Sequence, residues 1–266
     1  MVIPAVNEAG NLPWVLDRIP QGVDELILVD GKSSDATVEV AKAARPDIRV
    51  ITQEQRGKGD ALAIGFAAAT SDVVVTIDAD GSMDPAEIVK FVRALVDSKA
   101  DYAKGSRFLP GGGSDDLTLL RRIGNFLLRS LVNALHGTRY SDLCYGFNAF
   151  RRSHLGSLGF SIGVDGEPRC PRMGSGFEIE TCLNIRAARA GLRILEVPSY
   201  ERARSSGKSN LRVIRDGTRI VRAILTERRI SFVQRASEID AFVDGRFPRV
   251  GELARLDERD ALAVEG

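Results

Sequence analysis

Two aspartates one residue apart, Asp78 and Asp80, close a β-branched run, Val73-Val74-Val75-Thr76-Ile77. The run has the length and composition of a buried strand. Strand residues two apart share a face, so both carboxylates can look into one crevice at the strand's carboxyl end. Open α/β sheets bind ligands in that crevice. Paired hard oxygen donors suit Mg²⁺ or Mn²⁺, with substrate phosphates completing the shell. Taken alone, such a pair is more often a solvated acidic turn. Its neighbours decide the reading.

Three other stretches could do related chemistry. Pro4-Ala5-Val6-Asn7-Glu8 ends a first strand, and Val29-Asp30 through Thr37 ends a second. Polar groups at adjacent strand ends can grip a base and ribose, although Asp30 alone also suits a turn or a helix cap. Gln55-Arg56-Gly57-Lys58-Gly59 opens a helix, where glycines admit a close backbone, the helix terminus favours anions and Lys58 adds a point charge.

The elements that must position these residues alternate. Strands are expected over 25–29, 48–52, 73–77 and 102–104, and helices over 12–19, 37–44, 58–69 and 85–98. Such alternation predicts a mostly parallel central sheet flanked by helices. The first strand, Met1 to Pro4, is expected to be short, with its natural start upstream. Gly111-Gly112-Gly113-Ser114 reads as a flexible loop, 117–135 as a long helix, 146–151 as a strand, and 161–175 as a Gly- and Pro-rich loop. A helix over 176–190 and a strand over 193–197 follow. Residues 211–229 read as a basic amphipathic helix with an apolar stripe of Ile214, Ile220, Val221, Ile224 and Leu225. It suits either an anionic membrane surface or docking with a solvated basic face. The expected organisation is one domain over 1–230 and an acid-rich, partly disordered tail over 236–266. Within the domain three successive parts are expected, 1–110, 111–200 and 201–230, the last a loop followed by the basic helix.

Composition narrows the classes. Hydrophobic residues make up 44%, ample for a core, and the formal net charge of +1 gives no reason to expect nucleic acid. Cys144, Cys170 and Cys182 have no metal-ligand spacing, and His136 and His154 lie far apart, so a cysteine or histidine metal site is not expected. No signal peptide and no apolar run of about 18 residues is read, so the expected place is the cytoplasm, with peripheral contact at the cytoplasmic membrane face.

Taken in order, the four motifs resemble the family-2 glycosyltransferases of the GT-A fold. Further matches are Lys104-Gly105-Ser106-Arg107-Phe108, Arg121-Arg122-Ile123-Gly124-Asn125, Ser141-Asp142-Leu143-Cys144-Tyr145-Gly146-Phe147, Gly176-Phe177-Glu178-Ile179-Glu180 and Arg204-Ser205-Ser206-Gly207-Lys208-Ser209. Together they resemble the dolichyl- and polyprenyl-phosphate hexosyltransferases over about residues 1–230. The resemblance implies a nucleoside-diphosphate sugar donor, Mg²⁺ or Mn²⁺, and transfer of mannose or glucose with inversion. It assigns Pro4, Ala5, Glu8 and Asp30 to the nucleoside, Asp78 and Asp80 to ribose and metal, Arg107 to the acceptor phosphate, and Arg204 and Lys208 to a loop closing over the diphosphate. Lys58 joins the donor set as a point charge. Gly31 stands where many members carry Asp.

An acceptor phosphate is already ionised, whereas a hydroxyl acceptor needs a carboxylate base, for which Asp142 and Glu178 are the candidates. The expected acceptor is polyprenyl phosphate. The alternatives are a soluble hydroxyl acceptor on the same fold, or a binding module for carbohydrate or lipid without catalysis. Nucleotidyl transfer is disfavoured, because Pro4 to Glu8 is not a Gly- and Arg-rich first loop.

Overall fold

The computed structural model describes residues 1–54, 57–162, 168–169, 174–204, 206 and 213–243. Its main sheet, among these residues, joins β10 (Ile194–Pro198), β5 (Tyr102–Ser106), β7 (Asn148–Arg151), β4 (Val73–Thr76), β1 (Val2–Ala5), β2 (Ile27–Asp30) and β3 (Arg49–Thr52), in that spatial order. β7 runs antiparallel to both neighbours, and the other pairings are parallel. β1, β2 and β4 therefore end at one edge, which brings Ala5 opposite Asp30 and places Asp78 nearby.

Alternation along the strands builds two cores. Ile3, Leu28 and Val75 point to the face covered by α1 (Leu12–Asp17), α2 (Thr37–Ala44) and α4 (Ile88–Val96). Val2, Ile27, Val29 and Val74 point to the face covered by α3 (Lys58–Ala68) and α6 (Ile179–Arg189). α3 lies close to the sheet at Gly65, where an added Cβ would sit 2.3 Å from Val2 Cγ1. On α4 the buried apolar face is Ile88, Phe91 and Leu95, while Val96 is exposed.

α5 (Leu119–His136) starts at Thr118, whose hydroxyl accepts the Arg121 N–H, and ends at Gly137 in the left-handed conformation. Its Leu128, Leu131, Val132 and Leu135 pack with Ile185 of α6 and with Ile220 and Ile224 of α7 (Val213–Val243). Two short pairings fall in stretches expected to be loops. β6 (Gly113–Ser114) pairs with β11 (Tyr200–Glu201), and β8 (Ser161–Ile162) pairs with β9 (Pro168–Arg169).

The chain divides into two compact units, Met1–Glu227 and Arg228–Gly266. The first holds the sheets and the start of α7. The second holds the rest of α7, whose helix continues to Val243, past the expected end at Arg229 and into the expected tail. Among the described residues no helix is long and apolar enough to cross a membrane.

Candidate active site

The edge where β1 and β4 end opens into a cavity of about 1290 Å³. Pro4, Ala5, Val6 and Glu8 line it from β1, Asp78, Ala79 and Asp80 from β4, and Arg107 from the end of β5. Lys58 enters from the start of α3, Glu180 from the start of α6, and Glu201 and Arg204 from β11 and the segment after it. α5 and α7 form the opposite wall.

Asp30 lies behind this surface. It is buried, and its carboxylate accepts the Ser33 N–H at 3.2 Å, while Gly31 and Lys32 line the cavity. Much of the polar second loop holds the first loop in place. The Glu8 N–H donates to Thr37 Oγ1 at 2.9 Å, Thr37 Oγ1 donates to Asp35, and the Asn7 N–H donates to Ser33 Oγ at 2.9 Å. A Cβ on Gly31 would sit 2.3 Å from Val6 Cγ2, so a larger residue there requires the exposed Val6 side chain to turn away.

Lys58 is tied down. Its ammonium lies 2.6 Å from Asp78 Oδ1 and 2.5 Å from Glu180 Oε1. Burial alone would lower the Lys58 pKa, but the two carboxylates outweigh it and hold the amine above its ordinary range. Burial pushes Glu180 above the usual carboxylate range, with Lys58 opposing. The flanking glycines serve packing rather than an open phosphate cradle. The Gly59 N–H donates to Ser175 O at 2.9 Å, and a Cβ on Gly59 would lie 1.5 Å from Gly174 O.

Arg204 spans two strand ends, with Nη1 3.1 Å from Glu8 Oε1 and Nη2 2.7 Å from Asp80 Oδ2. Asn11 Nδ2 donates to Glu8 Oε2 at 2.6 Å, and Asn11 Oδ1 accepts the Ser206 N–H and hydroxyl. Burial raises the Glu8 pKa despite these donors. Met83 and Glu201 form an antiparallel bridge, and the Arg202 N–H donates to Ser82 O at 2.7 Å. The segment carrying Arg204 is thus zipped onto the turn after Asp80. Lys208, Arg56 and Cys170 lie outside the described residues.

Arg107 is held by three carboxylate contacts. Its Nε and Nη2 donate to the two oxygens of Asp142 at 2.7 and 3.0 Å, Nη1 donates to Glu201 at 3.0 Å, and the guanidinium lies over the Tyr145 ring. Asp142 is fully buried and also accepts the Arg107 N–H. Burial alone would raise its pKa, but Arg107 outweighs that and holds it low. Asp142, a candidate base from its sequence, sits at the inner end of this ion pair. The carboxylate does not line the cavity, and it orients Arg107. Glu178 does not line it either, because Oε1 accepts from Arg219 at 2.9 Å and from the Gly176 N–H. Residues two apart on a helix face different ways, so Glu180 reaches the cavity where Glu178 cannot. The sequence reading missed Glu180, Glu201 and Asn11. The only signal for Glu180 was its place in the same motif as Glu178.

Asp78 and Asp80 supply the hard oxygens that a divalent ion needs, and the Ser82 N–H orients Asp80 through Oδ1 at 3.0 Å. No group of three His, Cys, Asp or Glu side chains that could hold a metal occurs among the described residues.

The sequence profile of glycosyl transferase family 2 matches residues 1–159, which span β1 to β7 and hence both aspartates, Arg107 and Asp142. The chain belongs to glycosyl transferase family 2. This glycosyltransferase is 35% identical over 211 residues to an uncharacterized glycosyltransferase of Mycobacterium tuberculosis, covering 79% of this chain and 88% of the relative. It is 31% identical over 221 residues to polyprenol monophosphomannose synthase of Mycolicibacterium smegmatis, covering 79% and 80%. Its fold is the GT-A fold. It superposes on glucosyl-3-phosphoglycerate synthase from Mycobacterium tuberculosis, solved with Mn²⁺, UDP and glucosyl-3-phosphoglycerate, with a TM-score of 0.62 and 26% identity, covering 85% and 78%.

Proposed function

We propose that the enzyme transfers mannose or glucose from a nucleoside-diphosphate sugar to a polyprenyl phosphate, with inversion. The observation that carries this reading is the far wall of the cavity. Leu120, Leu127 and Leu128 of α5 and Ile220 and Val221 of α7 line it, together with Arg107, Arg121 and Arg222. Apolar walls set with arginines match a phosphate head on a hydrocarbon chain. The mannose-transferring relative from Mycolicibacterium smegmatis is named for a polyprenol product.

In this reading an acceptor phosphate oxygen attacks the anomeric carbon opposite the diphosphate. The new carbon–oxygen bond forms as the old one breaks, and the electron pair leaves with the nucleoside diphosphate. No proton need be removed, in keeping with the positions of Asp142 and Glu178 away from the cavity. Pro4, Ala5 and Glu8 hold the nucleoside, and Asp30 braces the loop behind them. Asp80, with Asp78, holds a Mg²⁺ or Mn²⁺ ion, which supplies counter-charge to the leaving diphosphate. Arg204 shifts from Asp80 to the diphosphate, with Lys208 beside it. Arg107, kept in place by Asp142, takes the acceptor phosphate in exchange for Glu201.

The second reading, a soluble phosphorylated hydroxyl acceptor, is favoured by the likeness to the glucosyl-3-phosphoglycerate synthase. It would need a cavity-lining carboxylate such as Glu201 as base. The deciding experiment supplies labelled nucleoside-diphosphate sugars with Mn²⁺ or Mg²⁺, and either polyprenyl phosphate in detergent or 3-phosphoglycerate. Labelled lipid is expected. Faster labelling of 3-phosphoglycerate would replace this reading with the second.

A further inference from the structure

Helix α5 carries a face that nothing described covers. Leu119, Leu120, Ile123, Phe126 and Leu127 are 50% to 74% exposed. Their spacing of one, three, three and one residues keeps them on about a third of the helix circumference. The opposite face is the one that packs against α6 and α7, through Leu128, Val132 and Leu135. A soluble surface rarely gathers this many large apolar side chains in one patch.

The charge of the helix is one-sided. α5 contains Arg121, Arg122 and Arg129 and no Asp or Glu. Arg129 stacks on the Phe126 ring with 5.0 Å to its centre. Beside them Phe108, Ile123, Phe126, Arg122 and Arg129 frame a shallow groove of about 260 Å³. The exposed patch also meets the active-site cavity, because Leu120 and Leu127 belong to both.

We propose that α5 docks this enzyme on an anionic lipid bilayer, lying in the plane of the headgroups. An amphipathic helix with an apolar face and only basic charges binds such a surface by both effects together. Docking there sets the cavity mouth against the bilayer. The structure moves this role away from α7, where the sequence pattern had pointed. Ile220 and Ile224 of α7 are buried in the core shared with α5 and α6, and Arg219 is bonded to Glu178. Ile220 and Ile224 make the inner side of α7 a packing face, while Val221 and Leu225 stay exposed.

The test uses the full chain and vesicles of phosphatidylglycerol and phosphatidylcholine that contain no polyprenyl phosphate. It therefore reads the surface independently of the acceptor reading, which detergent assays address. Wild type is expected to co-sediment with anionic vesicles, less so at high salt, and not with pure phosphatidylcholine. L119E/I123E/F126E should lower vesicle partitioning at least tenfold, keep its melting temperature, and still glycosylate a short-chain acceptor in detergent. R215Q/L225S, on the exposed side of α7, should bind within about twofold of wild type. Absence of wild-type binding to anionic vesicles would overturn the proposal. So would an α7 variant that loses binding as fully as the α5 variant. A wild-type dimer that the α5 substitutions convert to monomer, without vesicle binding, would instead assign the face to a second copy of the chain.

Discussion

In the proposed reading the cavity has a donor side at the strand ends and an acceptor side at α5 and α7, and the two are built from different materials. On the donor side nearly every charge is matched by another protein charge, with Lys58 between Asp78 and Glu180 and Arg204 between Glu8 and Asp80. On the acceptor side the wall is mainly apolar, set with Arg121 and Arg222, and its outer face on α5 is open. Cross-linked charges hold a shape before ligand arrives, and a nucleoside diphosphate can then exchange with them. An apolar wall selects by excluding water and gives little orientation. Arg107 is the hinge of the contrast, a charge on the acceptor side fixed by a carboxylate deeper in the protein.

The largest effect is expected where that hinge is cut. Asp142→Asn leaves the Arg107 guanidinium buried without its main partner, which should lower unfolding free energy by about 3–5 kcal/mol at neutral pH. The sign of the pH dependence follows from Arg107 holding Asp142 below its ordinary 3.8. The contribution is complete above about pH 3.8 and is lost as pH falls through the lower folded-state value. Urea unfolding of wild type and variant should therefore converge in acid. An unchanged urea midpoint at pH 7 would show that the pair does not hold Arg107.

Next comes the donor side. Asp80→Asn keeps shape and removes one charge, and is expected to slow transfer by at least about a hundredfold, or roughly 2.7 kcal/mol of barrier, with the melting temperature nearly unchanged. Excess EDTA should mimic it in wild type, and full turnover in EDTA would break the metal reading.

The smallest effect separates two neighbouring glutamates. Glu180→Gln weakens the Lys58 cross-link and should cost about tenfold in kcat/KM, close to 1.4 kcal/mol. Glu178→Gln, facing Arg219 outside the cavity, should stay within about twofold. Equal losses at both positions would mean that both reach the reacting groups.

Legibility followed the same division. The donor-side motifs were readable because strand ends put sequence neighbours into the site. A β-branched run ending in Asp78 and Asp80 lands at the sheet edge once the sheet is parallel. Reading which polar residue faces the ligand was harder. Asp30, Asp35 and Thr37 lie close in sequence, yet Asp30 accepts from Ser33 within its own loop, while Thr37, bonded to Asp35, holds the first loop. Lys58 lines the cavity, but its partners come from 20 and more than 100 residues away, and no local pattern encodes them.

By itself, the sequence determined the alternating elements, the α/β class, the aspartate pair and the resemblance to family 2, because these depend on periodicity and short motifs. Tertiary structure alone decided which apolar residues of the two arginine-bearing helices are hidden. α5 and α7 both carry arginines and leucine- or isoleucine-rich stripes, and only their packing with α6 buries Ile220 and Ile224 of α7 and leaves Leu119, Leu120, Ile123, Phe126 and Leu127 of α5 exposed. The same holds for Asp142 and Glu178, whose carboxylates are matched to Arg107 and Arg219 across more than 30 residues of chain. A side chain's chemistry is local, but its partner is chosen by the fold.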